Sequence, residues 1–125
     1  MSCLKHRRSL HRLVATGVAI AGVACAAPAA SAKPLYVGTW SANAAQCRSG
    51  NTDGLFMIKT KSYHFFEQDC AFRSVVRRAG AWNVVARCSG EGTHSTDRFT
   101  LWATKKVLTL RYAGEASISN YVRCK

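Results

Sequence analysis

Apolar and polar positions alternate through most of residues 82–112. Trp82, Val84, Ala86 and Cys88 fall on one side of an extended segment, with Asn83, Val85 and Arg87 on the other. Phe99, Leu101 and Ala103 alternate with Thr100, Trp102 and Thr104; Leu108, Leu110 and Tyr112 alternate with Thr109 and Arg111. A two-residue period puts one set of side chains on each face of a strand. Shorter stretches extend the pattern: Gly38-Thr39-Trp40 opens a first strand, Leu55–Lys59 reads as another, and Ser62–Phe66 as a third that continues through Cys70 to Phe72. Ser119–Cys124 closes the chain. Turn chemistry separates these runs at Gly50-Asn51-Thr52-Asp53-Gly54, Ser89–Thr93, Lys105-Lys106 and Ala113-Gly114-Glu115. Asn43–Gly54 is polar and turn-rich throughout, and no segment after residue 33 keeps an apolar helical period for three turns.

Seven or eight short strands with short connections are the pattern of a sandwich or an up-and-down barrel, and predict an all-β fold, read here as a small antiparallel β-barrel. An open sheet of this size would leave pairing edges exposed unless it closed or folded over. Neither an internal repeat nor a linker interrupts it, so residues 33–125 are expected to form a single domain.

The first 32 residues read differently. Lys5, Arg7, Arg8 and Arg12 make a basic start without acids, and an uncharged apolar run follows from Leu13 to Ala27. That run falls short of the roughly 20 residues a bilayer span needs. Ala30-Ser31-Ala32 then supplies small residues at the two positions that signal peptidase reads. The pattern predicts a signal peptide, residues 1–32, cleaved after Ala32, rather than an uncleaved anchor. Lipidation at Cys25 is a weaker reading, because Gly22 stands where a lipobox usually has Leu. A periplasmic or secreted product with no transmembrane span is expected.

Export changes how the cysteines read. Of the 6 cysteines, Cys3 and Cys25 leave with the signal, and Cys47, Cys70, Cys88 and Cys124 remain. An even number in an oxidising compartment predicts two disulfides. No Cys-x-x-Cys spacing favours a structural metal. Four cysteines allow three pairings. If the strands around Phe72 and Trp82 form one hairpin turning near Ala79-Gly80, Cys70 and Cys88 lie nearly equidistant from the turn. That favours Cys70–Cys88 with Cys47–Cys124.

Gly38-Thr39-Trp40 at the first strand resembles the Gly-x-Trp of lipocalin-like (calycin) barrels. The resemblance implies that Trp40 plugs one end of the barrel. It also implies that a basic side chain near the last strand lies across the ring, the place held here by Arg123 in Tyr121-Val122-Arg123-Cys124. In size the chain is closer to the small secreted bacterial barrels that inhibit proteases, which also open with Gly-x-Trp and carry a disulfide.

No enzyme motif stands out. His64 lies near Glu67 and Asp69, and His94 near Glu91 and Asp97, but neither pair comes with a nucleophile or metal motif. No cofactor is expected. Charge says more. Residues 1–32 hold four of the 18 basic residues and none of the 6 acids, so the remaining chain carries 14 basic residues and a net charge of +8. Arg73, Arg77 and Arg78 cluster near one hairpin and form the candidate binding face; Lys59, Lys61, Lys105 and Lys106 mark other turns. Such a field attracts acidic partners. Tyr63, Phe65 and Phe66 beside basic residues would suit single-stranded nucleic acid, but export argues against that target. The expected partner is an acidic protein or an anionic envelope component, met by a monomeric, non-enzymatic binding protein or inhibitor. The alternative is a small-ligand carrier, which requires an apolar lumen left open by the aromatics Trp40, Phe56, Phe65, Phe72, Trp82, Phe99 and Tyr112.

Overall fold

The computed structural model describes Gly22, residues 25–29 and residues 31–125. The signal-peptide reading falls largely outside these residues. Ser31–Lys125 form one compact unit. Eight strands run in sequence order around a closed antiparallel barrel: β1 (Gly38–Ser41), β2 (Phe56–Ile58), β3 (Ser62–Phe65), β4 (Gln68–Arg78), β5 (Ala81–Gly90), β6 (Thr93–Ala103), β7 (Val107–Tyr112) and β8 (Ser119–Arg123). A five-residue helix, α1 (Ala44–Arg48), lies between β1 and β2. Closure comes from β8 pairing with β1, Trp40 opposite Arg123 and Ser41 opposite Val122.

The alternation seen in the sequence is the burial pattern of the walls. Trp82, Val84, Ala86 and Cys88 point into the barrel from β5; Phe99 and Leu101 do so from β6, and Leu108 and Leu110 from β7. The lumen is a packed aromatic column. Phe56 meets Tyr63, Phe65 and Tyr121; Phe99 meets Tyr63, Phe72 and Tyr112; Tyr36 meets Trp82 and Phe72. Most pairs are edge-to-face, the geometry that ring quadrupoles favour.

Two segments depart from the sequence reading. The run from Ser62 to Phe72 is two strands, not one, reversed at Phe66-Glu67 with Phe65 opposite Gln68. Phe66 turns in the left-handed region (φ 53°) without glycine, proline or asparagine to mark it. Inside the polar stretch, α1 forms because Asn43 accepts a hydrogen bond from the Gln46 amide at 2.9 Å. This is a helix cap too short to leave a periodic trace.

Both disulfides are present. Cys70–Cys88 joins directly opposed residues of β4 and β5, below a turn at Ala79-Gly80 whose two residues both have positive φ. Cys47–Cys124 ties α1 to the end of β8, beside the closure of the barrel. The loops span 18 and 77 residues, worth roughly 3 and 4.5 kcal/mol in chain entropy. The core, the sheet and both disulfides all lie within residues 33–125, so this segment contains what it needs to fold alone.

Candidate functional site

Strand directions sort the connections into two ends. The segment before β1, the β2–β3, β4–β5 and β6–β7 turns, and the exit from β8 gather at one end. The β1–β2, β3–β4, β5–β6 and β7–β8 connections gather at the other.

The first end is plugged. Trp40 has no solvent exposure, and its indole nitrogen donates to the Tyr36 carbonyl at 2.9 Å. Tyr36 is itself buried, and its hydroxyl donates to the Thr60 carbonyl at 3.0 Å, which fastens the entering segment to the β2–β3 turn. Burial pushes the Tyr36 phenol pKa up. The Arg123 guanidinium lies 4.1 Å from the Trp40 ring centroid. It donates to the carbonyls of Val37 (3.0 Å), Lys105 (2.9 Å) and Leu35. One side chain therefore bonds the entering segment and the β6–β7 turn, and its positive charge rests on the negative face of the indole. Gly38 makes this possible: a Cβ there would collide with the Arg123 guanidinium. The glycine of the Gly-x-Trp pattern thus has a direct steric reason.

Around this plug the charge is of one sign. Lys59 and Lys61 flank the β2–β3 turn, Arg77 and Arg78 lead into the β4–β5 turn, and Lys105 and Lys106 form the β6–β7 turn. Lys33, Lys105 and Arg123 line one shallow cleft with Pro34, Leu35 and Val37. No acidic residue occurs in any of these segments. Arg77 also lies 5.1 Å from the Trp82 ring centroid, covering the edge of the plug. Arg73 takes a different place: it falls at the register shift between Phe72 and Ser74, exposed on the wall and six positions before Ala79 of the turn. The structure thus joins Arg77 and Arg78 to the lysine turns and leaves Arg73 aside.

The opposite rim holds the acids. Asp53, Glu67, Glu91 and Glu115 sit in its connections; Arg48, in the β1–β2 connection, lies on α1, which the Cys47–Cys124 disulfide ties to the end of β8. Asp69 lies near the start of β4, and Asp97 points inward from β6. A cleft of about 650 Å³ opens at this rim between Phe65, Phe66, Glu67, Gln68, Gly90, Glu91, Thr93 and Asp53.

The histidine–carboxylate candidates separate. His64 Nδ1 meets Asp69 Oδ1 at 2.8 Å across β3 and β4, both side chains substantially exposed; such a surface pair contributes little to stability. Among the described residues, no hydroxyl or thiol hydrogen-bonds to His64. His94 and Asp97 stand on the same strand, but Asp97 is engaged elsewhere. It accepts from Tyr63 (3.2 Å) and Ser95 (3.1 Å), and its carboxylate lies 3.4 Å from Cys88 Sγ. The disulfide sulfur has no proton to give, so the Tyr63 and Ser95 hydroxyls are the donors to this carboxylate. Burial first, then Tyr112 and the Asp97 charge, pushes the Tyr63 phenol far above its ordinary value; burial likewise raises Tyr112. Cys70, Cys88 and Asp97 are close enough together to hold a metal. With the disulfide closed, neither sulfur is a thiolate, and the set does not suit one.

The fold and plug define a class: an eight-stranded antiparallel barrel consistent with a calycin-like barrel. No known protein family, curated protein or solved structure matches the chain.

Proposed function

We propose that this chain is an exported, monomeric, non-enzymatic binding protein of lipocalin-like build, whose plugged end engages an acidic macromolecule in the periplasm or outside the cell. The carrying observation is the segregation of charge: six basic residues in three turns surround the plug, and the acids gather at the other rim. Charges of one sign on one end steer an oppositely charged partner to that end and raise its association rate. The rigid plug holds the turns in place. An inhibitor or an envelope-associated module would both use such a face. Export, read from residues 1–32, disfavours nucleic acid as the natural target.

The test uses residues 33–125 with poly-L-glutamate as the acidic probe, measuring association rate against salt. The double substitution Arg77→Ser/Arg78→Ser is expected to slow association about tenfold at low salt and to flatten the salt dependence. Association insensitive to both salt and the substitution would overturn the reading.

A second reading, carriage of a small ligand, draws on the rim cleft beside Phe65 and Phe66. The lumen that a carrier would use is filled by aromatic rings, so this reading ranks lower. Saturable protection of Phe65 and Phe66 signals by an apolar probe in NMR titration would favour it.

A further inference from the structure

The basic end is not purely polar. Val107 follows Lys106 directly and is 40% exposed; Leu35, in the entering segment, is 43% exposed; Val76, beside Arg77, is 46% exposed. Three of the five large apolar residues exposed among the described residues thus stand at or next to the basic turns. A face meant only for solubility gains nothing from aliphatic side chains set between lysines. A bilayer interface rewards both: phosphate headgroups attract the ammonium and guanidinium groups, and the aliphatic tips enter the boundary with the acyl chains. The barrel wall cannot be the lipid-facing surface, because its outward positions include Arg87, Arg98 and Arg111 and charged groups on a lipid face are costly.

We propose that the plugged end docks end-on to an anionic lipid surface, with Lys59, Lys105 and Lys106 at the headgroups and Leu35 and Val107 at the acyl boundary. The rigidity of the end fits this use. Arg123 pins the Leu35 and Lys105 carbonyls to one guanidinium, so the apolar tip and the lysine turn are held side by side. The opposite rim, with its carboxylates, faces away from the membrane and is left free. This inference rests on the reading of the basic end as a binding face and names its partner.

The experiment is co-sedimentation of residues 33–125 with vesicles of phosphatidylcholine, with or without one-third phosphatidylglycerol, alongside poly-L-glutamate binding. Of the two vesicle types, only the anionic one is expected to bind, and poly-L-glutamate is expected to bind as well. Lys59→Gln/Lys105→Gln/Lys106→Gln should weaken it by about a hundredfold. Leu35→Ser/Val107→Thr keeps every charge and should weaken vesicle binding at least fivefold while leaving poly-L-glutamate binding unchanged. Near-UV circular dichroism checks that each variant retains the fold. Binding to poly-L-glutamate without binding to anionic vesicles would overturn the membrane inference and leave the general reading standing. Vesicle binding indifferent to Leu35 and Val107 would overturn it as well, since headgroup attraction alone would then account for it. Binding to neither probe would overturn both.

Discussion

The two ends of the barrel are built on opposite terms. At the plugged end a fully buried Trp40, a stacked Arg123 and a buried Tyr36 fasten the entering segment to two turns. At the rim, Phe66 stands 57% exposed on a two-residue turn, and the connections carry carboxylates. One end is a hydrogen-bonded plug ringed by cations, the other a set of open turns with a cleft. The plug and the candidate binding field therefore share one end. The lysine charges there can be removed without touching the plug because they sit on turns, whereas Arg123 belongs to the plug itself and Arg77 covers its edge.

The sharpest way to break this contrast is to delete an aromatic ring at each end. Trp40→Ala is expected to cost about 3–5 kcal/mol, the range for a buried large aromatic. Phe66→Ala should stay within about 1 kcal/mol, because the ring is largely in water already. Urea unfolding of both variants makes the comparison; equal losses would dissolve it. Glycines give a second version. Gly38→Ala drives a methyl against the Arg123 guanidinium and should cost about 1–3 kcal/mol. Gly92→Ala meets open space and suffers only its left-handed backbone (φ 75°), at about 1 kcal/mol.

Removing the cation from the plug sharpens the picture further. Arg123→Ala should cost less than the loss of Trp40, about 1–2 kcal/mol, through lost stacking and the carbonyl bonds. It should also shift the tryptophan emission. Unchanged stability and emission would mean that the stacked guanidinium is idle.

The smallest expected effect lies in the lumen, toward the rim. Tyr63 and Tyr112 hold their phenols above the ordinary value of 10.0. A phenol whose folded pKa is raised stabilises the fold fully below its unfolded value, and that contribution falls as pH rises beyond it. Stability should therefore be flat below pH 10 with respect to these groups and decline above it. Tyr63→Phe should blunt the decline. Denaturant midpoints across alkaline pH, with absorbance titration of the phenolates, read both.

How legible this was in the chain depends on which signal carried each feature. The β5–β7 walls were readable because apolar and polar positions alternate through most of Trp82 to Tyr112, one face being buried. The Cys70–Cys88 pairing was readable because the two lie nearly equidistant from Ala79-Gly80, a local feature, and the register shift between Phe72 and Ser74 takes up the one-residue difference. The turn at Phe66-Glu67 was not readable, since a left-handed phenylalanine imitates strand composition and is held by its neighbours. α1 escaped for another reason: Asn43 and Gln46 form a cap-like pair, but five residues give no period. The fastening role of Tyr36 was hidden because it lies before the first strand, in a segment with no pattern of its own. The sorting of charge could not be read from spacing at all. Lys59, Arg78 and Lys106 are far apart along the chain, and only strand direction brings them to one end. Arg73, near Arg77 in sequence, sits at the bulge, farther along β4 from the turn.

The central claim is that position, rather than net charge, makes the plugged end the binding face. Two triple variants of residues 33–125 remove the same three charges from different places: Lys59→Gln/Lys105→Gln/Lys106→Gln at the plugged end, and Arg87→Gln/Arg98→Gln/Arg111→Gln on the wall. Their affinities for anionic vesicles at fixed salt decide the matter. The account predicts that the plugged-end variant loses about a hundredfold and the wall variant less than threefold. Equal losses in the two would contradict it.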